Sequence, residues 1–334
     1  MLPAIFGIAG PDITADERAI FREYDPVGFI LFRRNVIDAA QLRRLTHDLR
    51  AAVGRADALV LVDQEGGRVQ RLAPPLWPQL PPQGRIGAIW RTDPALARRA
   101  AWLLARIIAA DTAACGFDTV CAPCLDLRWP QTHVAIGDRA FGDDPETVID
   151  LGREIISGLK AGGILPVIKH LPGHGRASLD SHFDLPVIEG TREDLDRTDF
   201  RPFRELGPLS PLAMTGHLML PALDPDLPST LSRSVIENLV RTNWNYDGFL
   251  MSDDIDMKAL SGAPGEIARA ALAAGCDGVL QCSGNFETIR AVCEALPEIT
   301  ADAARRLATA TASRTTPQAF DREQGLRELL GIVA

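Results

Sequence analysis

Eight short apolar runs, rich in β-branched residues, recur along the chain at residues 4–8, 27–32, 58–62, 119–122, 164–169, 212–216, 249–252 and 278–281. None alternates polar with apolar residues, so each reads as a strand buried on both faces. Stretches with helical spacing lie between them, among them 39–53, 96–115, 145–161, 234–243 and 268–274. Strands that alternate with helices predict a parallel α/β fold. The count of eight favours a closed (β/α)8 TIM-type barrel over an open doubly wound sheet.

Residues 1–334 read as one barrel domain, with closing helices after about residue 285. A chain of 334 residues can bury a core of barrel size without disulfides or metals as staples. The longest gap lies between the third and fourth runs. It holds Pro74, Pro75, Pro78, Pro81 and Pro82, a loop signature near a barrel mouth. No window approaches the roughly 18 uninterrupted apolar residues of a membrane span. The start, Met1 to Gly7, lacks the basic region and long apolar core of a signal peptide. A net charge of −9 argues against a general binder of nucleic-acid backbones. Six scattered cysteines and no export signal point to a reducing cytoplasm. Cys121 and Cys124 have the spacing of a redox pair, but they lie in an apolar run rather than at a helix start. They therefore read as buried thiols acting as small apolar residues.

Polar clusters follow the runs at their C-terminal ends, where barrel enzymes place their active sites. Arg33, Arg34 and Asn35 follow the second run, and Asp63 to Arg71 follow the third. Asp126 and later Arg139 follow the fourth, and Lys169 to Gly175, continuing to Asp180-Ser181-His182, follow the fifth. His217 follows the sixth, and Asp253, Asp254 and Asp256 follow the seventh. Four of the six histidines fall between 170 and 217, which concentrates titratable groups on one rim. Structural readings stand beside the functional ones. Asp63 could cap a helix, Arg68 could pair with Glu65, and His174 could shape its loop. His170 and His217 could be hydrogen-bonded rim histidines. Gly66 and Gly67 suggest a backbone that approaches a ligand closely. Lys169 at the end of an apolar strand requires a carboxylate or ligand beside it.

Three chemistries fit these ingredients. His170, His174, Asp180, His182 and His217 are ligand types for zinc, although Pro172 and Gly173 prevent His170 and His174 from sharing a helix face. Residues 173–178 resemble a glycine-rich phosphate loop, without a complete fingerprint. The third is acid–base and covalent chemistry on a neutral polar substrate. Asp180 and His182 stand two apart, so the carboxylate can orient the imidazole as an acid/base. Asp253, at the end of a rigid strand, can act as a nucleophile or as an electrostatic stabiliser. A carboxylate opposite an acid is the minimum apparatus for breaking a glycosidic bond. Asp63 and Arg71 could together grip the hydroxyls of one ring.

Asp63 to Arg71, Lys169-His170-Leu171-Pro172-Gly173-His174-Gly175, Asp180-Ser181-His182 and Ser252-Asp253-Asp254-Ile255-Asp256-Met257 together resemble glycoside hydrolase family 3. More narrowly they resemble its single-domain bacterial β-N-acetylglucosaminidase branch, which works in cell-wall recycling. The likeness extends from about residue 3 to residue 285. It implies a (β/α)8 barrel and a retaining, two-step hydrolysis without metal or cofactor. It implies Asp253 rather than Asp254 as nucleophile, His182 as acid/base and Asp180 as its partner. It places sugar binding on Asp63, Arg71, Arg139, Lys169 and His170. The implied partner is a small carbohydrate, a muropeptide or related glycan carrying terminal N-acetylglucosamine, and neither nucleic acid nor membrane.

There are departures from the pattern. Leu171 stands where the motif has an aromatic residue, a packing change. Residues 128–133 match no family segment and lead towards Arg139, where they could alter what binds beyond the first sugar. A histidine acid/base repels phosphate less than a glutamate would, which keeps a phosphorylase on the same barrel as a rival. A β-glucosidase is disfavoured by the Asp-Ser-His loop. A silent sugar-binding barrel is disfavoured by Asp253, His182 and Asp180 together.

Overall fold

The computed structural model describes residues 1–181 and 184–334. Its strands are β1 (Leu2–Phe6), β2 (Pro26–Leu31), β3 (Leu59–Val62), β4 (Gln64–Gly66), β5 (Val69–Gln70), β6 (Thr119–Val120), β7 (Leu165–Leu171), β8 (Leu212–Thr215), β9 (Phe249–Asp254) and β10 (Gly278–Gln281). Eight of them close into a barrel in the order β1-β10-β9-β8-β7-β6-β3-β2, every neighbouring pair parallel. Closure rests on β1 against β10, with Phe6 opposite Gln281. All eight predicted runs form barrel strands.

The strand ends differ in an instructive way. β7 runs on to Leu171 and β9 to Asp254, past the apolar residues that announce them. Pairing continues at Leu171–Thr215 and at Asp254–Leu280, so the ladder holds polar residues that hydropathy assigns to loops. At the other end of the chain, the first run ends early at Phe6. Its Ile8 carbonyl is taken by the side chains of Arg34 and Asn35 at 2.9 and 3.1 Å.

The helices follow from pattern and caps. In Ala39–Val53, buried Leu42, Leu45, Leu49 and Ala52 recur at helical spacing. Asp38 caps its start through Gln41 N–H at 2.7 Å, and Gly54 ends it in the left-handed region at φ 67°. The 96–115 pattern begins two residues earlier than predicted, at Pro94, because Asp93 caps the Leu96 N–H and proline suits the first turn.

Two apolar layers result. The outer one fills the space between strands and helices; there Phe21 packs against Phe6 and Phe29 with ring centroids 5.9 and 5.0 Å apart. The inner one fills the barrel bore with Ile5, Ile30, Leu61, Val167, Met251 and neighbours, a packed core rather than a pore. Ala303, Leu307 and Ala310 of the helix Ala301–Ala312 belong to that inner cluster. This helix is the floor of the barrel. Arg306 ties it to Asp277, just before β10, at 2.9 Å, and Ile299 N–H donates to the Met1 carbonyl at 3.0 Å.

The long gap after β3 contains an antiparallel hairpin, β4 with β5, that apolar patterning does not announce. Its turn is Gly66-Gly67 at φ 92° and 58°. A Cβ on either glycine would stand 2.3 Å from the Pro81 carbonyl oxygen or 2.7 Å from Pro82 Cβ. The two glycines therefore admit the proline-rich strip rather than a ligand. That strip is fastened by Gln70, which accepts from Leu80 N–H at 3.0 Å and donates to the Pro78 carbonyl at 2.7 Å.

Candidate active site

The C-terminal ends of the strands surround a cavity of about 290 Å³. Asp63, Arg71, Arg139, Lys169, His170, Asp180 and Asp253 all line it, so the fold brings seven of the eight expected site residues around one cavity. The eighth, His182, lies outside the described residues.

Lys169 comes from the extended end of β7 and is almost wholly buried. A buried ammonium needs compensation. Two carboxylates supply it: Asp63 Oδ1 and Glu65 Oε1 each lie 2.7 Å from Lys169 Nζ. Asp63 is also held by Arg71 Nη2 at 3.0 Å. Glu65 receives Arg139 in a two-pronged contact, Nε to Oε2 at 2.9 Å and Nη2 to Oε1 at 2.8 Å. Burial would raise both carboxyls, but the cations outweigh it. Asp63 is held well below the usual carboxylate range by Lys169 and Arg71. Glu65 is held down at about 2 by Arg139 and Lys169. The same acids outweigh burial at Lys169 and raise its pKa. One side of the cavity is a chain of five charges fixed by one another, Arg71–Asp63–Lys169–Glu65–Arg139.

Two expected pairings change. Glu65 belongs to Lys169 and Arg139, while Arg68 pairs with Asp138 at 3.4 Å and donates to the carbonyls of the 134–136 strip. Asp63 caps no helix, since β4 follows it directly.

His170 is set by Asp126. The His170 Nδ1–Asp126 Oδ2 distance is 2.7 Å, and Asp126 Oδ1 accepts from His174 N–H at 2.7 Å. Asp126 is fully buried; burial would raise it, yet the imidazole of His170 and the His174 N–H hold it low. Arg139 Nη2 lies 3.4 Å from His170 Nε2 and completes the contact between the two sets of residues. Glu65 and Asp126 carry the site as much as the residues that sequence reasoning put forward. The signal for both was the same as for the others: an acid just beyond an apolar strand.

Asp253 and Asp254 end β9. Asp254 N–H donates to Asp253 Oδ1 at 2.8 Å. Burial would raise the Asp253 carboxyl, but His170, His217, that N–H and Lys169 together lower it. Asp254 behaves oppositely. Burial pushes it up to about 6, with Asp256 adding to the rise, although Asp256 and Cys282 N–H groups donate to its Oδ1 at 3.2 and 3.0 Å.

His217 and His174 are both buried and engaged in internal contacts. His217 is buried between Thr230 Oγ1 at 2.8 Å and the Asp254 carbonyl at 2.9 Å. His174 is buried with its Nε2 3.4 Å from Ser181 Oγ, and burial depresses it to about 4. Among the described residues, the side chains within reach of one shared metal ion are Cys124, Asp126 and His170. That set differs from the histidine-rich one the sequence suggests. Arg128, Trp129, Pro130 and Thr132 line a second cavity of about 520 Å³. Trp129 is locked there by Asp199 at 2.9 Å and by Arg176 4.6 Å above its ring.

The sequence matches the model of the glycosyl hydrolase family 3 N-terminal domain over residues 6–310. The chain belongs to glycosyl hydrolase family 3. A β-hexosaminidase of Alkalilimnicola ehrlichii is 40% identical over 299 residues, 89% of this chain and 84% of that protein. The native structure of NagZ from Neisseria gonorrhoeae superposes with a TM-score of 0.89 at 30% identity, covering 99% of this chain and 98% of that one. That NagZ has also been solved with N-trifluoroacetyl-D-glucosamine. A family 3 β-N-acetylglucosaminidase from Paenibacillus gives a TM-score of 0.89 at 31% identity, covering 99% of this chain and 66% of that one. The glycosyl hydrolase family 3 assignment makes the chain a glycoside hydrolase and matches the closed barrel found here. Among the described residues, no helix is long and apolar enough to cross a membrane.

Proposed function

We propose that this chain is a retaining exo-β-N-acetylglucosaminidase that removes terminal N-acetylglucosamine from muropeptides or related glycans. The observation that carries the reading is Asp253. It is a carboxylate kept ionised at the end of a barrel strand, in the same small cavity as a pre-organised wall of charged groups. The cavity is at the low end of small-molecule sites, which suits one terminal sugar ring. Met214, Met257 and Leu280 give it an apolar side for an acetamido methyl.

In this reading Asp253 Oδ1 is engaged by the Asp254 N–H, and Oδ2 attacks the anomeric carbon. The bond to the leaving oxygen breaks as His182, oriented by Asp180, gives that oxygen a proton. The imidazole then takes a proton from water, the water oxygen bonds to the anomeric carbon, and the ester to Asp253 breaks. Asp63, Arg71, Arg139, Lys169 and His170 hold the ring hydroxyls throughout. Residues 1–334 act as one catalytic domain, in the cytoplasm, where thiols stay reduced.

The test is turnover of an aryl β-N-acetylglucosaminide against an aryl β-glucoside, with and without phosphate. Preference for the first, with free N-acetylglucosamine as product, is expected. Equal rates, or a sugar phosphate as product, would sink the proposal.

A further inference from the structure

We infer that Cys124, Asp126 and His170 form a site for one thiophilic divalent cation, of the zinc or cadmium type, whose binding disables the sugar cavity. The three side chains are buried and converge on a single carboxylate oxygen. Cys124 Sγ lies 3.2 Å from Asp126 Oδ2, and His170 Nδ1 lies 2.7 Å from the same atom. A thiol, a carboxylate and an imidazole with ligand atoms this close are the donor set of a three-ligand zinc centre with an open fourth position. Metal–ligand bonds of about 2.0–2.3 Å require the two hydrogen-bonded contacts to open by only a few tenths of an ångström.

Charge favours the exchange. In the metal-free protein Asp126 Oδ2 is shared between the Cys124 thiol and the His170 ring. A divalent cation displaces the thiol proton, and any proton on Nδ1, to solvent, and the bound imidazole carries its proton on Nε2. Thiolate, carboxylate and cation then sum to zero, which suits a buried position. Hard cations such as magnesium gain nothing from the sulfur.

The consequence for the cavity runs through His170. Its Nδ1 lies 2.7 Å from Asp126 Oδ2 and its Nε2 lies 3.4 Å from Arg139 Nη2. With the cation on Nδ1, Nε2 carries the proton and meets the Arg139 donor with a donor. Arg139 and His170 line the same cavity, so their contact is lost where a sugar must be held.

The experiment adds cadmium chloride alone to the reduced, metal-free full chain. The expected result is a thiolate-to-cadmium charge-transfer band that saturates at one equivalent, with activity on an aryl β-N-acetylglucosaminide falling in parallel. Magnesium should do neither. Cys124→Val should keep metal-free activity and lose both the band and the inhibition; Cys124→Ser replaces it should valine fail to fold. Cys282→Ser, which removes the thiol that lines the cavity, should keep both. The idea is overturned if wild type takes up no cadmium, or if band or inhibition survives in the Cys124 variants. The band is read without an activity assay, so failure of the proposed reaction and failure of this site are distinguishable.

Discussion

The backbone N–H of Asp254 donates to Asp253 Oδ1 at 2.8 Å, and the two adjacent carboxyls are driven in opposite directions. His170, His217, Lys169 and an N–H act on the first. The second faces burial and another acid, Asp256. One strand end thus presents one carboxylate and one weak acid.

Asp253→Ala should therefore abolish turnover on every substrate, by about 4 kcal/mol or more, on the order of a thousandfold in kcat. Asp254→Asn keeps the acceptor for Cys282 N–H and should retain most activity. Steady-state kinetics of both variants check this. The opposite ranking would mean that Asp254 is the nucleophile.

Asp254 also predicts a pH-dependent stability. Its folded value, about 6, lies above the ordinary 3.8. Below both values it is protonated folded or unfolded, with no effect. As pH rises through 6 the folded chain must ionise it at a cost, roughly 2 kcal/mol after discounting its partial exposure. Asp254→Asn should raise Tm at pH 8 and leave it nearly unchanged at pH 4. A uniform shift at both pH values contradicts this account.

Lys169→Met should be strongly destabilising, by about 3–5 kcal/mol at neutral pH, because it strands Asp63 and Glu65 without their shared cation. In the natural chain both carboxyls lie below their ordinary values, so their contribution is present above the unfolded range and is lost as pH falls through the depressed values. Without Lys169 both should rise, and mild acid should recover part of the loss. Urea melts of the two proteins at pH 7.5 and 5 would show the gap narrowing. A constant gap would mean that Lys169 acts through packing alone.

His182→Ala should cost much more kcat/KM on a disaccharide than on a nitrophenyl glycoside, since an activated phenol leaves without a proton. With the activated substrate the glycosyl-enzyme should accumulate. Azide, which needs no base, should speed turnover and yield a β-glycosyl azide. Equal losses on both substrates with no azide effect would assign the proton transfer to another group.

The barrel was legible because eight apolar runs each fill a position buried on both faces, and nothing else explains their recurrence. The rim was legible because polar residues there follow the strands directly. What escaped was pairing. Glu65 stands beside Arg68 in a single cluster of residues, yet the β4–β5 turn sends it to Lys169 and Arg139, which lie 104 and 74 residues away in the chain. A lone sequence has no term for such distances. The hairpin itself was missed because its strands are three and two residues long and polar.

The pairing of β1 with β10 leaves the finished sheet without an edge. During synthesis the same pairing has a cost in time. Phe6 leaves the ribosome long before Gln281, and at about 5–20 residues per second the first strand waits on the order of 15–55 s for its partner. The helix that seals the bore emerges later still. Throughout that interval a strand buried along its whole length in the final fold presents an open, apolar edge, so the nascent chain is a natural client for chaperones that shield such edges.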